Sequence, residues 1–384
     1  MYAIKPWGKV VLVGSNVGTY AMGIGMRWRE SIVRLVERRP DPRYELENHR
    51  RCVLTAQTMK LLKDLGCTTA KVENILRRAR GWRFVRPDLE VVRESSTFPG
   101  CAEGEPAYHC SEGMLLRMLR SEFIRFGGNI SWGTEAYDAF ESGDGTGLWS
   151  LRKMYGMESE AEAIITTAKD SPLASLLIAD DPNRIAVLFD EETGISPAEG
   201  TLTGKIFGSA DVVLLVGEEL VLHLWNIGDT VAWRAIRRGR KENPDLQTLA
   251  LHPAIHEMVA RSVQRTTRMR VLPATTPAVK DTSSHMRVSI LGDALLPIDP
   301  FEWRGDRARC NIEEASALCR AFYGKKFHRG NVPHILREVE QDSLAKRAAV
   351  LRRDLMDAEH FLCGKFAIEE DFSTSGTLGA ALPI

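Results

Sequence analysis

Lys9-Val10-Val11-Leu12-Val13-Gly14-Ser15-Asn16-Val17-Gly18-Thr19 is the stretch that decides the fold. A continuous apolar run ending in glycine reads as a strand buried on both faces of a parallel sheet. Val17 to Arg29 follows as a helix with apolar Ala21, Ile24 and Met26, and Ile32–Glu37 reads as a second strand. The three predict a β-α-β unit. A glycine-bearing turn between strand and helix gives a G-x-G-x-x-G pattern its meaning, because the helix start offers unpaired N–H groups to a pyrophosphate. Gly14 and Gly18 hold that pattern, while Asn16 stands at the second glycine, where a phosphate approaches the backbone closely. Asn tolerates left-handed backbone angles, but its side chain takes up space. Glu37 closes the second strand at the roughly 20-residue spacing of an acid that binds a ribose hydroxyl. A plain β-α-β unit without nucleotide is the alternative reading.

Further along, Thr55–Leu65 predicts an amphipathic helix stopped by Gly66, and Met114–Phe126 another ending at Gly127-Gly128. From about 129 to 240 the pattern changes to short strands. Asp211–Val216, Leu220–Trp225 and Thr230–Ile236, separated by Gly217-Glu218 and Gly228-Asp229, predict an antiparallel meander. Pro244 to Val263 reads as helix, Arg287–Leu291 as a buried strand and Asn311–Phe322 as helix. Pro333–Cys363 is a long, charged, amphipathic region of one or two helices, opened by a proline suited to a first helical position. The polar tail after Ile368 carries no assignment.

Composition excludes several classes. The 384 residues carry 51 Lys+Arg against 51 Asp+Glu, so net charge gives no case for nucleic acid or an anionic membrane as partner. The seven cysteines, at 52, 67, 101, 110, 310, 319 and 363, form no C-x-x-C and read as reduced thiols, neither a disulfide framework nor a zinc site. The run Val10–Val13 is far too short for a signal peptide, and no segment reaches the length of a membrane span. The expected location is cytoplasmic.

A second motif, Val288-Ser289-Ile290-Leu291-Gly292-Asp293-Ala294, ends a strand in Gly-Asp. It places a carboxylate at the carboxyl edge of the sheet, where ligands bind in such folds, able to accept hydrogen bonds from ribityl hydroxyls. Taken alone, Gly-Asp is a common turn. With the first motif and Glu37, with Arg50 followed by Leu54 to Gly66, and with Pro300 and the Ile312-Glu313-Glu314-Ala315 helix, it gives the chain a resemblance. The sequence resembles the group A flavin monooxygenases, the class of p-hydroxybenzoate and phenol hydroxylases, over about residues 9 to 322. The resemblance implies an α/β fold: a Rossmann-like FAD-binding domain interwoven with a mixed or antiparallel β-sheet substrate domain, with C-terminal helices. Residues 1–75 would open the FAD-binding domain and 76–106 make an excursion into the substrate domain. Residues 107–200 would return with a β insertion, 201–280 form the substrate domain's meander and helix, and 281–384 return with the Gly-Asp motif.

The resemblance also assigns roles. Arg50 falls near the flavin pyrophosphate, and Asp293, after Gly292, on the ribityl chain. Asp180, in Leu177-Ile178-Ala179-Asp180-Asp181-Pro182, stands at an Asp-Gly motif of which Asp181-Pro182 replaces the rest. The family's glycine-rich loop beside the flavin ring reads Pro300-Phe301-Glu302-Trp303-Arg304-Gly305-Asp306-Arg307 here, so only Gly305 survives and a ring edge would meet Trp303 or Arg307. The adenine half of the site is retained and the isoalloxazine half altered. The family's flavin-contacting Gln or Arg falls near His109 or Cys110; His109 is an acid/base candidate by residue type, against a structural histidine.

His223 and Trp225 share one strand face and, with Trp303, are the candidate substrate contacts, against a plain core role. The cluster Arg237-Arg238-Gly239-Arg240-Lys241 reads as a solvated turn or, more sharply, as an NADPH phosphate contact. His252 and His256, four apart, lack a third ligand nearby, and no metal site is expected. The leading expectation is an enzyme using FAD and NADPH or NADH to hydroxylate or epoxidise an aromatic or secondary-metabolite small molecule. Two alternatives keep the fold: a flavin-free cyclase or isomerase of a biosynthetic intermediate, and a non-catalytic binding protein.

Overall fold

A computed structural model of the chain describes residues 8–43, 50–143, 148–153, 156, 158–169, 171–179, 186–239, 246, 249–273, 275–280, 286–298, 304–324 and 329–364. The chain divides into two units, each of three segments: residues 1–77, 109–187 and 271–354 in the first, and 78–108, 188–270 and 355–384 in the second.

In the first unit, β1 (Lys9–Val13), α1 (Val17–Arg27) and β2 (Ile32–Val36) form the expected β-α-β unit. After β3 (Arg51–Thr55) and α2 (Ala56–Asp64) come β4 (Ala107–Ser111), α3 (Glu112–Arg125), β5 (Asn129–Ser131), β6 (Ala163–Thr166) and β7 (Val288–Ile290). Among the described residues the central sheet runs β7-β6-β1-β2-β5, with every pairing parallel. β1 sits between two neighbours, so Val10, Val11, Leu12 and Val13 are all buried, as an unbroken apolar run requires. The register aligns Val13 with Val36 on one side and with Thr166 on the other, and Thr166 with Ile290. The residues that follow, Gly14, Glu37, Thr167 and Leu291, therefore leave the sheet at one carboxyl edge.

The helix α4 (Asp306–Tyr323) and the residues of α5 (Val332–Leu362) up to Asp354 also belong to this unit. Tyr20, Met22, Phe123, Leu318 and Phe322 are fully buried in one apolar core. The helix expected at 311–322 begins earlier, at Asp306, because Gly305 takes the left-handed conformation (φ 72°) and turns the chain into the first helical turn. The region 333–363 is one helix of 31 residues. The expected β insertion is a three-stranded antiparallel sheet of Ala136–Glu141, Trp149–Lys153 and Glu158–Ala161.

The second unit is built on a sheet of seven strands among the described residues. The expected meander is present as Val212–Gly217, Leu220–Asn226 and Thr230–Arg238, paired antiparallel. One face, with Val213, Leu215, Leu222, Leu224 and Trp233, packs on Ile206, Ile255, Met258 and Val259 of two helices, Gly200–Phe207 and Pro253–Ala260. The second of these is shorter than the span expected from 244 to 263: His252 starts it by accepting the Ala254 amide on Nδ1. Among the described residues no helix is long and apolar enough to cross a membrane.

Candidate cofactor site

The carboxyl edge of the parallel sheet gathers the predicted residues. Gly14 (φ 92°) turns the chain out of β1, and a Cβ there would lie 2.7 Å from the Ala168 Cβ, so only glycine fits. Glu37 is buried and holds this turn: its Oε2 accepts from Ser15 N (2.8 Å) and Ser15 Oγ (2.5 Å), and its Oε1 accepts from Arg39 N (2.9 Å). A carboxylate has about four lone-pair positions, so capacity remains for a ligand hydroxyl. Asn16 is the N-cap of α1. Its Oδ1 accepts from Thr19 N at 2.9 Å and Thr19 Oγ1 at 3.1 Å. The amide of Thr19 is thus satisfied by the protein itself instead of facing an anion. Gly18 lies against α4, with its Cβ position 3.0 Å from the Asn311 carbonyl.

Across the sheet, Gly292 (φ 65°) and Asp293 follow β7. The Gly292 amide donates to Glu314 Oε2 at 3.0 Å. Asp293 sits between two guanidinium groups. Arg307 donates to its Oδ2 from Nε (2.8 Å) and Nη2 (2.6 Å), and Arg347 approaches its Oδ1 at 3.4 Å. Burial alone would raise the Asp293 carboxyl; the charges of Arg307 and Arg347, the Arg307 hydrogen bonds and the charge of Arg50 outweigh it and hold the group well below the usual carboxylate range. Arg307 also reaches Glu112, Nη1 donating to Oε1 at 3.1 Å and Oε2 at 3.3 Å. The Glu112 amide donates to the Arg50 carbonyl at 2.7 Å, which fixes the backbone at Arg50. A relay of alternating charge results: Glu112, Arg307, Asp293, Arg347, Glu314.

His109 is buried on β4 and its Nδ1 meets Arg51 Nη2 at 2.8 Å. A guanidinium only donates, so this Nδ1 is the acceptor and the ring proton is on Nε2. Gly305 packs so closely that a Cβ would lie 2.2 Å from the Val53 carbonyl oxygen. His223 and Trp225 do share a face of the second unit's sheet. Both are buried and their rings lie 3.7 Å apart, with His223 paired in register with Arg234. Asp180 and Trp303 lie outside the described residues, as do Pro300, Arg240 and Lys241. The sequence reading missed Arg347, Glu314, Asn311 and Glu112, and it met Arg307 only as an obstacle. Spacing flags none of them; Glu314 stands in the Ile312–Ala315 helix that carries the resemblance, with no role assigned to it.

The FAD that the resemblance implies needs close backbone approach and acceptors for sugar hydroxyls. Positive-φ glycines at 14 and 292 and the strand-end carboxylates Glu37 and Asp293 offer both. The residues fit the group, and Arg307 is hydrogen-bonded to one oxygen of the Asp293 carboxylate, Oδ2.

No protein-family profile matches the sequence, and no curated protein matches it. Solved structures do. The chain is similar to CtdE in complex with FAD and a substrate, at 13% identity over 95% of this chain and 91% of that one, TM-score 0.75. It is similar to HpxO of Klebsiella pneumoniae in complex with FAD and uric acid, at 15% identity over 92% and 88%, TM-score 0.73. It is similar to a salicylate hydroxylase substrate complex, at 14% identity over 95% and 91%, TM-score 0.70. The chain shares the fold of these structures, an α/β architecture with a parallel sheet, antiparallel sheets and C-terminal helices. At these identities the likeness speaks for the fold alone.

Proposed function

We propose that this chain is an FAD-dependent monooxygenase that hydroxylates or epoxidises an aromatic or natural-product small molecule, with NADPH or NADH as reductant. One observation carries the reading: two carboxylates, Glu37 and Asp293, stand at the carboxyl edge of one parallel sheet, each beside a glycine turn. That edge is where open α/β sheets take dinucleotides. The similar structures crystallised with FAD agree with it.

In this reading Glu37 binds the adenosine ribose, the turn from Gly14 to Gly18 borders the pyrophosphate, Arg50 supplies positive charge near it, and Asp293 takes the ribityl chain. Gly305 lets α4 start close against β3. FAD, when bound, supplies electron transfer from the pyridine nucleotide to oxygen and the transfer of one oxygen atom to substrate. The protein's own part is to orient, to exclude water and to fix charge. His109, held by Arg51, offers the Nε2–H as a fixed donor and is the candidate acid/base group. His223, Trp225 and Trp303 are the candidate substrate contacts, aromatic side chains suited to an apolar ligand.

Purified protein tests this directly. Bound flavin absorbance, bleaching by NADPH or NADH without oxygen, and substrate-dependent oxygen uptake are the expected results. Folded protein that stays colourless in excess FAD would sink the assignment, and turnover of a substrate without reductant or oxygen would favour the non-redox enzyme instead.

A further inference from the structure

Arg307 occupies the one carboxylate that the cofactor reading most needs. It is the second residue of α4, directed by the left-handed turn at Gly305. Its guanidinium spans two acids: Nε and Nη2 on Asp293 Oδ2, and Nη1 on both oxygens of Glu112. The two cations on Asp293 differ in freedom. Arg347 is fully buried and anchored to Glu314, Asn311 and the Leu296 carbonyl, so it is fixed in place. Arg307 is 14% exposed at its side chain and has a second acid to hold it when Asp293 is released. A charge-assisted hydrogen bond is roughly twice as strong as a neutral one. A ribityl hydroxyl arriving at Oδ2 therefore competes with both Arg307 hydrogen bonds for that oxygen.

We propose that Arg307 sets the affinity of the cofactor site by competing for Asp293: the ribityl chain gains Oδ2 only as Arg307 shifts onto Glu112. The inference rests on the FAD reading above and deepens it, since it gives the two carboxylates opposite effects. Asp293 is the contested acceptor. Glu112 is the resting place that makes release possible.

The experiment is FAD titration of the full chain, followed by flavin fluorescence and by calorimetry. Arg307→Met is expected to lower the Kd at least tenfold, because competition disappears. Glu112→Gln is expected to raise the Kd severalfold, because Arg307 then has only Asp293 to hold it. The double variant should follow Arg307→Met. A residue needed only for packing would weaken binding in both single variants. Arg307→Lys, whose single ammonium cannot span both acids, should give the same sign as Arg307→Met and stands in if that variant fails to fold. FAD uptake by Arg307→Met with none by the parent chain would be the strongest support. Binding by the parent chain with equal or weaker binding by both Arg307 variants overturns the inference and leaves the cofactor reading standing. No uptake by any folded variant overturns both.

Discussion

Arg347 and Asp293, 54 residues apart in the chain, meet at 3.4 Å behind the candidate cofactor site. Arg347 is fully buried. Burial works against its charge, but the carboxylates of Glu314 and Asp293 and the Glu314 hydrogen bonds outweigh it and keep it protonated. Removing one member of such a pair strands the other in low dielectric. Arg347→Met should lose about 3–5 kcal/mol of unfolding free energy in urea titrations. Glu314→Gln added to Arg347→Met should recover part of that loss, as coupled neighbours do. A loss under about 1 kcal/mol for the single variant would show that the relay does not carry the fold.

Glu122 gives a pH signature remote from the site. Its buried carboxylate accepts from Lys71 Nζ, Arg125 and Thr68 Oγ1. Burial would raise it, yet the hydrogen bonds from Arg125, Lys71 and Thr68 and the Arg125 charge pull it down to about 2. A depressed carboxyl stabilises the fold above its unfolded value, near 4.3, and that contribution fades as pH falls toward the folded value. Lys71 and Arg125 are about half exposed, so solvent screens the gain to the order of 2 kcal/mol. Glu122→Gln should be less stable at pH 6, with the difference shrinking below about pH 4 and closing only near pH 2. Parallel stability curves over that range would contradict this.

Gly305 is a steric test of how α4 is placed. A Cβ would meet the Val53 carbonyl at 2.2 Å, and φ is 72°. Gly305→Ala should cost about 1–2 kcal/mol from backbone strain, and more from the clash with the Val53 carbonyl. It should also shift Arg307 and so change FAD affinity. Unaltered melting would mean that the helix can start farther from β3.

Much of the fold was legible because its signals are local. The β-α-β unit rests on an apolar run, a glycine turn and Glu37, all within one short stretch. The meander follows from period-two alternation around Gly217 and Gly228. The relay was not legible for a physical reason. Within the charged, amphipathic region 333–363 no local pattern marks Arg347 or Glu340, yet both are buried. Glu340 takes Ser289 Oγ and the Ile290 amide, partners that only the tertiary fold supplies. The same holds for the Asp306-Arg307-Ala308-Arg309 stretch, whose charges suggest a loop until Gly305 is seen to cap a helix.

Asn16 separates stability from affinity in a single substitution. Its Oδ1 caps α1 through Thr19 N, and its Nδ2 reaches the Thr167 carbonyl at 3.4 Å. Glycine replaces an Asn cap at a cost of only a few tenths of a kcal/mol, whereas alanine costs about 1 kcal/mol. Asn16→Gly frees the Thr19 amide and removes the side chain from the helix N-terminus, where an anion is favoured by the helix dipole. FAD should therefore bind severalfold more tightly to Asn16→Gly while its melting temperature hardly moves. ADP, which carries the pyrophosphate but no ribityl chain, should gain by the same factor, and this distinguishes the effect from that of Arg307, to which ADP should be indifferent. If glycine weakens both ligands, the Asn16 side chain is a direct phosphate contact, and its cap on Thr19 N gives way when the pyrophosphate binds.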